Sequence, residues 1–162
     1  HLGAAPPEFI FAVMRVESGY NPHELSYADA QGLLQMIPPT STRVAHHLGL
    51  SYGEGDLFDV TFNIETGSWY IGRLFEKFAR QVPLAAASFN AGPAAMMRWL
   101  DAPHMNTRPL DEFVELVSFR ETREYMKRVT THYIRYQFLY HGAVYEQPLA
   151  LQAAYRADDL NY

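Results

Sequence analysis

The sequence predicts an all-α fold, a single domain of about eight helices around a buried central helix. Three observations carry this. No segment shows the apolar–polar alternation of a half-buried strand. Apolar residues recur instead at three- and four-residue spacing, in stretches closed off by proline or glycine. The 162 residues, 48% of them apolar, suffice for one substantial core and not for two domains.

The elements follow in order. Pro6-Pro7 opens a first helix that ends near Ser18, before Gly19, and Phe9, Ile10, Val13, Met14 and Glu17 share one of its faces. Asn21-Pro22 is a turn, and Gly32 to Pro38 is a short apolar segment interrupted by Gln35. Thr40 or Ser41 caps a second helix running to Gly49. Asp59 caps a long helix from about Val60 to Phe78, the expected buried spine, where Gly67 and Gly72 suggest the close approach of another element. Small residues dominate Val82 to Pro93, so that segment packs closely on a neighbour. Short helices are predicted over Ala94–Leu100 and Leu110–Val117. Ser118 and Glu121 match a capping box, which opens a last helix from Phe119 to Tyr140, stopped at Gly142. Residues 1–6 read as a leader or linker, 7–142 as the domain, and 143–162 as a tail docked on it.

Composition excludes several partners. A net charge of -5 leaves no basic excess for phosphate neutralisation, so nucleic acid is not expected. No apolar run is long enough to span a bilayer. Without cysteine there are neither disulfides nor thiolate metal sites. His46 and His47 are adjacent, so they point in different directions on a helix, and no further metal ligand has suitable spacing. Neither a metal nor an organic cofactor is expected. The chain starts at His1 without a charged-then-apolar leader and reads as a portion of something longer, with an upstream domain.

The chemistry centres on Glu17. On an otherwise apolar face, and at the helix end whose partial charge is negative, a carboxylate is favoured in its protonated form. A raised pKa and a general-acid role are therefore expected, against the alternative that the side chain turns outward to water or Arg15. Gln35 either bonds the backbone of the preceding loop or reaches a polar ligand from an apolar wall. Asn90 is by default a helix-end residue. The stripe Tyr125, Val129, Tyr133, Tyr136 and Tyr140 reads as core or as a ligand wall.

Four separated motifs, taken together, resemble the catalytic domain of the soluble lytic transglycosylases, relatives of goose-type lysozyme. They are Val16-Glu17-Ser18-Gly19-Tyr20-Asn21-Pro22, Gly32-Leu33-Leu34-Gln35-Met36-Ile37-Pro38, Ser88-Phe89-Asn90-Ala91-Gly92-Pro93, and Val114-Glu115 continuing through Phe119 and Glu121-Thr122-Arg123 to Tyr125. Phe58-Asp59 through Asn63-Ile64 and Gly67 resembles the entry to the family's central helix. The resemblance implies a lysozyme-like fold and cleavage of the β-1,4 bond between N-acetylmuramic acid and N-acetylglucosamine in peptidoglycan. Glu17 would act as sole acid and then base, giving 1,6-anhydromuramoyl ends. It further implies that Ser26 and Gln35 bind sugar substituents, that Leu34 and Met36 line the cleft, and that Phe89, Asn90, Glu115 and Tyr125 frame the subsites. The implied partner is the peptidoglycan glycan strand, and the implied location is the cell envelope, in the periplasm. Phe89 stands where the family has tyrosine, and Ser118 where it often has proline. The alternative readings are a weak or inactive peptidoglycan-binding domain and a hydrolysing lysozyme.

Overall fold

In a computed structural model that describes residues 4–142 and 146–151, proline sets the start of one helix after another. Helix α1 (Pro7–Glu17) begins directly after Pro6, where a missing N–H costs nothing because the first-turn donors lack helical partners anyway. Its buried face carries Phe9, Ile10, Val13 and Met14, as the spacing predicts. Helix α2 (Pro38–Leu48) starts the same way, with Ile37 at the cap position, and ends on the left-handed Gly49. It therefore begins two residues before the expected Thr40 cap. The proline pair itself forms its first turn, and Thr40 and Ser41 are buried within it.

A 3-10 turn (Asp56–Phe58) leads into α3 (Val60–Lys77). Asp59 caps it as predicted, its Oδ1 accepting from the Phe62 N–H at 2.8 Å. There follow α4 (Val82–Ala91), α5 (Pro93–Asp101), α6 (Leu110–Leu116) and α7 (Arg120–His141), the last stopped by left-handed Gly142. The described residues thus contain seven α-helices and no strand, with isolated bridges pairing Leu25 to Gln31 and Gln31 to Met36.

The described residues divide into two compact units, within His1–Arg73 and within Leu74–Tyr162, with the boundary inside α3. In the first unit Phe9, Ile10, Leu34, Met36 and Leu57 are among the most deeply buried large side chains. Gly67 of α3 is needed there, because a Cβ at that position would lie 3.1 Å from Leu34 Cβ and closer still to its Cδ1. In the second unit every residue of α4 from Val82 to Ser88 is buried, and the helix packs on α7 and α5, the close approach its small residues predict.

The expected capping box does not form. Helix α7 has Phe119 at its cap position and no side-chain cap bond, because Ser118 Oγ accepts instead from Trp99 Nε1–H at 3.0 Å. Trp99 also meets the Phe119 ring edge-on at 5.3 Å. The tyrosine stripe of α7 is core only in its first half: Tyr125, Val129 and Tyr133 are buried, whereas Tyr140 is exposed. Of the expected tail, residues 146–151 run along the second unit. There Leu110 N–H donates to Leu149 O at 2.7 Å, and Gln81 Nε2 donates to Ala150 O at 3.0 Å. Residues 143–145 and 152–162 of that tail, and 1–3 of the leader, lie outside the described residues.

Candidate active site

Glu17 is the last residue of α1 and is half-buried. The turn that follows it is tied down by Ser18. Its hydroxyl donates to Leu33 O at 2.8 Å, lies 3.3 Å from Met14 O, and accepts from the Tyr20 N–H at 3.1 Å. One short side chain thereby closes the helix and fastens the Glu17 turn to the Gly32–Met36 segment.

That segment is built from backbone bonds in three short runs. Gly32 N–H donates to Glu24 O at 2.9 Å, and Gln31 and Met36 exchange both their backbone bonds at 3.0 and 3.2 Å. Gly32 has φ +76°, and a Cβ there would collide with Leu57 O and the Asn63 amide, so only glycine fits. Asn63, on the first turn of α3 and nearly inaccessible, holds the arrangement from beneath. Its Oδ1 accepts from Leu34 N–H at 2.8 Å, and its Nδ2 donates to Gln31 O at 2.9 Å and Leu57 O at 2.8 Å.

The consequence is an alternation along 34–36. Leu34 and Met36 are buried, and Gln35, at φ +45°, is half-exposed between them. Its Nε2 donates to Glu24 O at 3.0 Å and Gly32 O at 2.9 Å, the local backbone bonding that was one of its two expected roles. Both amide hydrogens are thus committed, which leaves Oε1 to accept. Ser26 is half-buried, and its Oγ accepts from Ala28 N–H at 3.2 Å and Ala30 N–H at 3.0 Å. Its own hydroxyl hydrogen remains available to donate. Other carboxylates of these loops have structural tasks. Glu24 accepts from Asn21 Nδ2 at 2.9 Å, Asp29 from Gln31 Nε2 at 2.8 Å, and Asp56 from Gly53 N–H at 2.8 Å. Tyr52, stacked on Phe62, has its phenol pushed up by burial first and then by the Asp29 and Asp56 carboxylates.

The remaining candidates belong to the second unit. Phe89 and Asn90 sit in the last turn of α4, and Asn90 Oδ1 accepts from Thr122 Oγ1–H at 2.7 Å, joining the third motif to the fourth. Tyr125 is buried on α7. Glu115, on α6, is exposed and paired with Lys127 at 2.8 Å. That hydrogen bond holds the Lys127 ammonium above the usual lysine range, against a smaller opposing effect of desolvation. A cavity of about 360 Å³ opens beside the pair, with Leu110, Val114, Met126 and Thr130 in its wall. The structure therefore links Glu17, Ser26 and Gln35 through one set of stitched loops, and Asn90 to Thr122. Ser18, Gly32, Asn63 and Thr122 are positioning residues that the motifs contain but to which sequence reasoning gave no role. The signal for Gly32 was a glycine opening an apolar run, and for Asn63 an amide one turn past a cap.

Comparison with known proteins bears on the same residues. The profile of the transglycosylase SLT domain family matches residues 3–108, taking in the first three motifs and stopping before the fourth. A Haemophilus influenzae protein with the provisional name soluble lytic murein transglycosylase is 38% identical over 132 residues, 81% of this chain and 22% of that protein. The crystal structure of the 70 kDa soluble lytic transglycosylase of Escherichia coli superposes with a TM-score of 0.80 at 29% identity, over 92% of this chain and 24% of the other. An inactive glutamate-to-glutamine mutant of the Pseudomonas aeruginosa lytic transglycosylase superposes at 0.76 with 29% identity, over 88% of this chain and 23% of the other. The chain spans about a fifth to a quarter of the length of these relatives. With the profile covering well over half of its residues and a solved lytic transglycosylase structure matching 92% of its length, the chain belongs to the transglycosylase SLT domain family.

Proposed function

We propose that this domain is a peptidoglycan lytic transglycosylase in which Glu17 is the single acid and base. The observation that carries the reading is the half-buried carboxylate at the end of an otherwise buried helical face, in a turn locked to the Gln35 segment by Ser18. Protonated Glu17 donates to the glycosidic oxygen between N-acetylmuramic acid and N-acetylglucosamine as the C1–O4 bond breaks, and the glucosamine leaves with a 4-hydroxyl. The muramoyl acetamido group stabilises the charge left at C1. The Glu17 carboxylate then takes the proton of the C6 hydroxyl as O6 bonds C1, which regenerates the acid and closes a 1,6-anhydro ring. No water and no cofactor enters the balance, and the partner carboxylate of the usual glycosidase pair is replaced by the substrate's own groups.

The other site residues take supporting parts. Gln35 accepts from a sugar N–H or O–H through Oε1 while Ser26 donates, and buried Leu34 and Met36 fix the wall from which Gln35 projects. Phe89, Asn90, Glu115 and Tyr125 frame the subsites. The Pseudomonas aeruginosa relative with glutamine in place of one glutamate is an inactive mutant, which speaks for dependence on a single carboxyl group. A peptidoglycan substrate places the work in the cell envelope, in the periplasm.

The test is digestion of purified peptidoglycan, with mass spectrometry of the fragments. The wild-type domain is expected to release anhydro-ended muropeptides, and Glu17→Gln to lower the rate by at least about 100-fold, the scale of a lost general acid. Fragments heavier by one water would make the domain a hydrolase. Wall binding without fragments from the wild type would leave a binding domain, the reading that Phe89 favours.

A further inference from the structure

We propose that Tyr27 is a stacking platform for a sugar ring of the glycan strand, next to Ser26, and that it sets how tightly the strand is held on that side. This rests on the lytic transglycosylase reading and goes beyond it. Tyr27 is wholly exposed, and among the described residues it makes no hydrogen bond or ring contact. Its loop is nevertheless rigidly built. Ser26 N–H donates to Ala30 O at 2.9 Å, Asp29 N–H to Ser26 O at 3.1 Å, and the Ser26 hydroxyl accepts from Ala28 and Ala30. A large ring held out by a locked turn loses little freedom when a flat ligand covers it. Leu25 and Ile37, at the outer edges of the same bridged runs, are exposed as well, so the loop cluster presents an apolar shoulder.

Position and chemistry select the ligand. Gln35 is bonded to Glu24 O, and three residues of chain carry Tyr27 no more than about 11 Å from Glu24. A strand contacting Gln35 thus passes within about the length of two sugars of Tyr27. Every ring substituent of a β-1,4-linked gluco-configured sugar is equatorial, so both ring faces are lined by C–H groups, which suit an aromatic face. The nearby carboxylates, Glu24 and Asp29, are already engaged by Asn21 and Gln31. What remains is a flat apolar surface with a phenol tip, which fits a neutral N-acetylglucosamine ring better than a charged stem peptide.

The experiment uses glycan strands freed of stem peptides by an amidase, with intact peptidoglycan alongside. Tyr27→Ala is expected to raise KM about fivefold with kcat unchanged, the size of one lost aromatic stack, and Tyr27→Trp to restore it. A KM that does not move, or a kcat that falls alone, overturns the proposal. An effect seen on intact peptidoglycan but absent on stripped strands assigns the ring to the peptide and overturns it too. A second arm compares the affinity of Glu17→Gln and of Glu17→Gln with Tyr27→Ala for stripped strands. If the wild type yields no anhydro ends, the proposed reaction fails, yet this arm still decides Tyr27: weaker binding of the double variant supports the platform, and equal binding or none removes it.

Discussion

Asn63 places both amide hydrogens and its carbonyl oxygen on backbone groups drawn from two separate loops, and does so with almost no access to water. A buried amide left half-satisfied would be costly, whereas a fully satisfied one fixes a unique geometry. Asn63→Ala strands the Leu34 N–H and the Leu57 carbonyl, each worth about 1 kcal/mol or more when buried, whereas Gln31 O keeps the Met36 N–H. We expect a loss of about 2 kcal/mol in urea unfolding, together with lower turnover, because the Gln35 segment loses its floor. Asn63→Asp keeps the acceptor but turns a buried carboxylate oxygen toward the Gln31 and Leu57 carbonyls, so it should cost at least as much as Asn63→Ala. If Asn63→Ala unfolds within about 0.5 kcal/mol of wild type, the range of ordinary surface changes, the amide is not the pin described.

At the scale of elements, the sequence was most legible where punctuation is local. A proline start and a glycine stop gave α1, glycine gave the ends of α2 and α7, and Asp59 announced α3, whereas the start of α2 was expected at a Thr40 or Ser41 cap and lies at Pro38. It was least legible where a distant partner decides. Ser118 matches a cap by spacing, yet Trp99, 19 residues away, takes its hydroxyl. The Glu17 turn was readable as an acid at a helix end, but its tie to Leu33 spans 15 residues and has no local signature. Gly67 is the case where local and distant terms can be separated. As a helix residue its replacement by alanine should gain about 1 kcal/mol. Against that, the new Cβ would press into Leu34, which is fully buried and cannot step aside. Overpacking of this kind costs about 1–3 kcal/mol, so Gly67→Ala should be destabilising on balance. The pair is therefore predicted to be non-additive. In a Leu34→Ala background the Cδ1 clash is gone and only the Cβ contact at 3.1 Å remains, so Gly67→Ala should be less destabilising than in the wild type, as a double-mutant cycle by thermal or urea unfolding would read directly.

For the molecule as a whole, the two units are organised differently. The first places its candidate chemistry on loops clamped by side-chain amides and hydroxyls, the second on the helices α4, α6 and α7. What closes the second unit is contact between its beginning and its end. Gln81, at the cap of α4 and nearly inaccessible, donates to Ala150 O, and Pro148 O lies 3.4 Å away. These partners are 69 and 67 residues distant, while Leu149 O receives the first N–H of α6. Such long closures are entropically costly and must be repaid by well-made bonds at the seam. Gln81→Ala removes the donor and leaves tail carbonyls to find water, which should cost about 1–2 kcal/mol. The loss should appear first as local opening. In hydrogen exchange the Leu110 amide, bonded to Leu149 O, is expected to lose protection before the amides in the middle of α4 and α7. Deleting residues 146–151 should expose the same amide. Unchanged Leu110 protection in both variants would mean that the tail merely lies against a unit already closed without it.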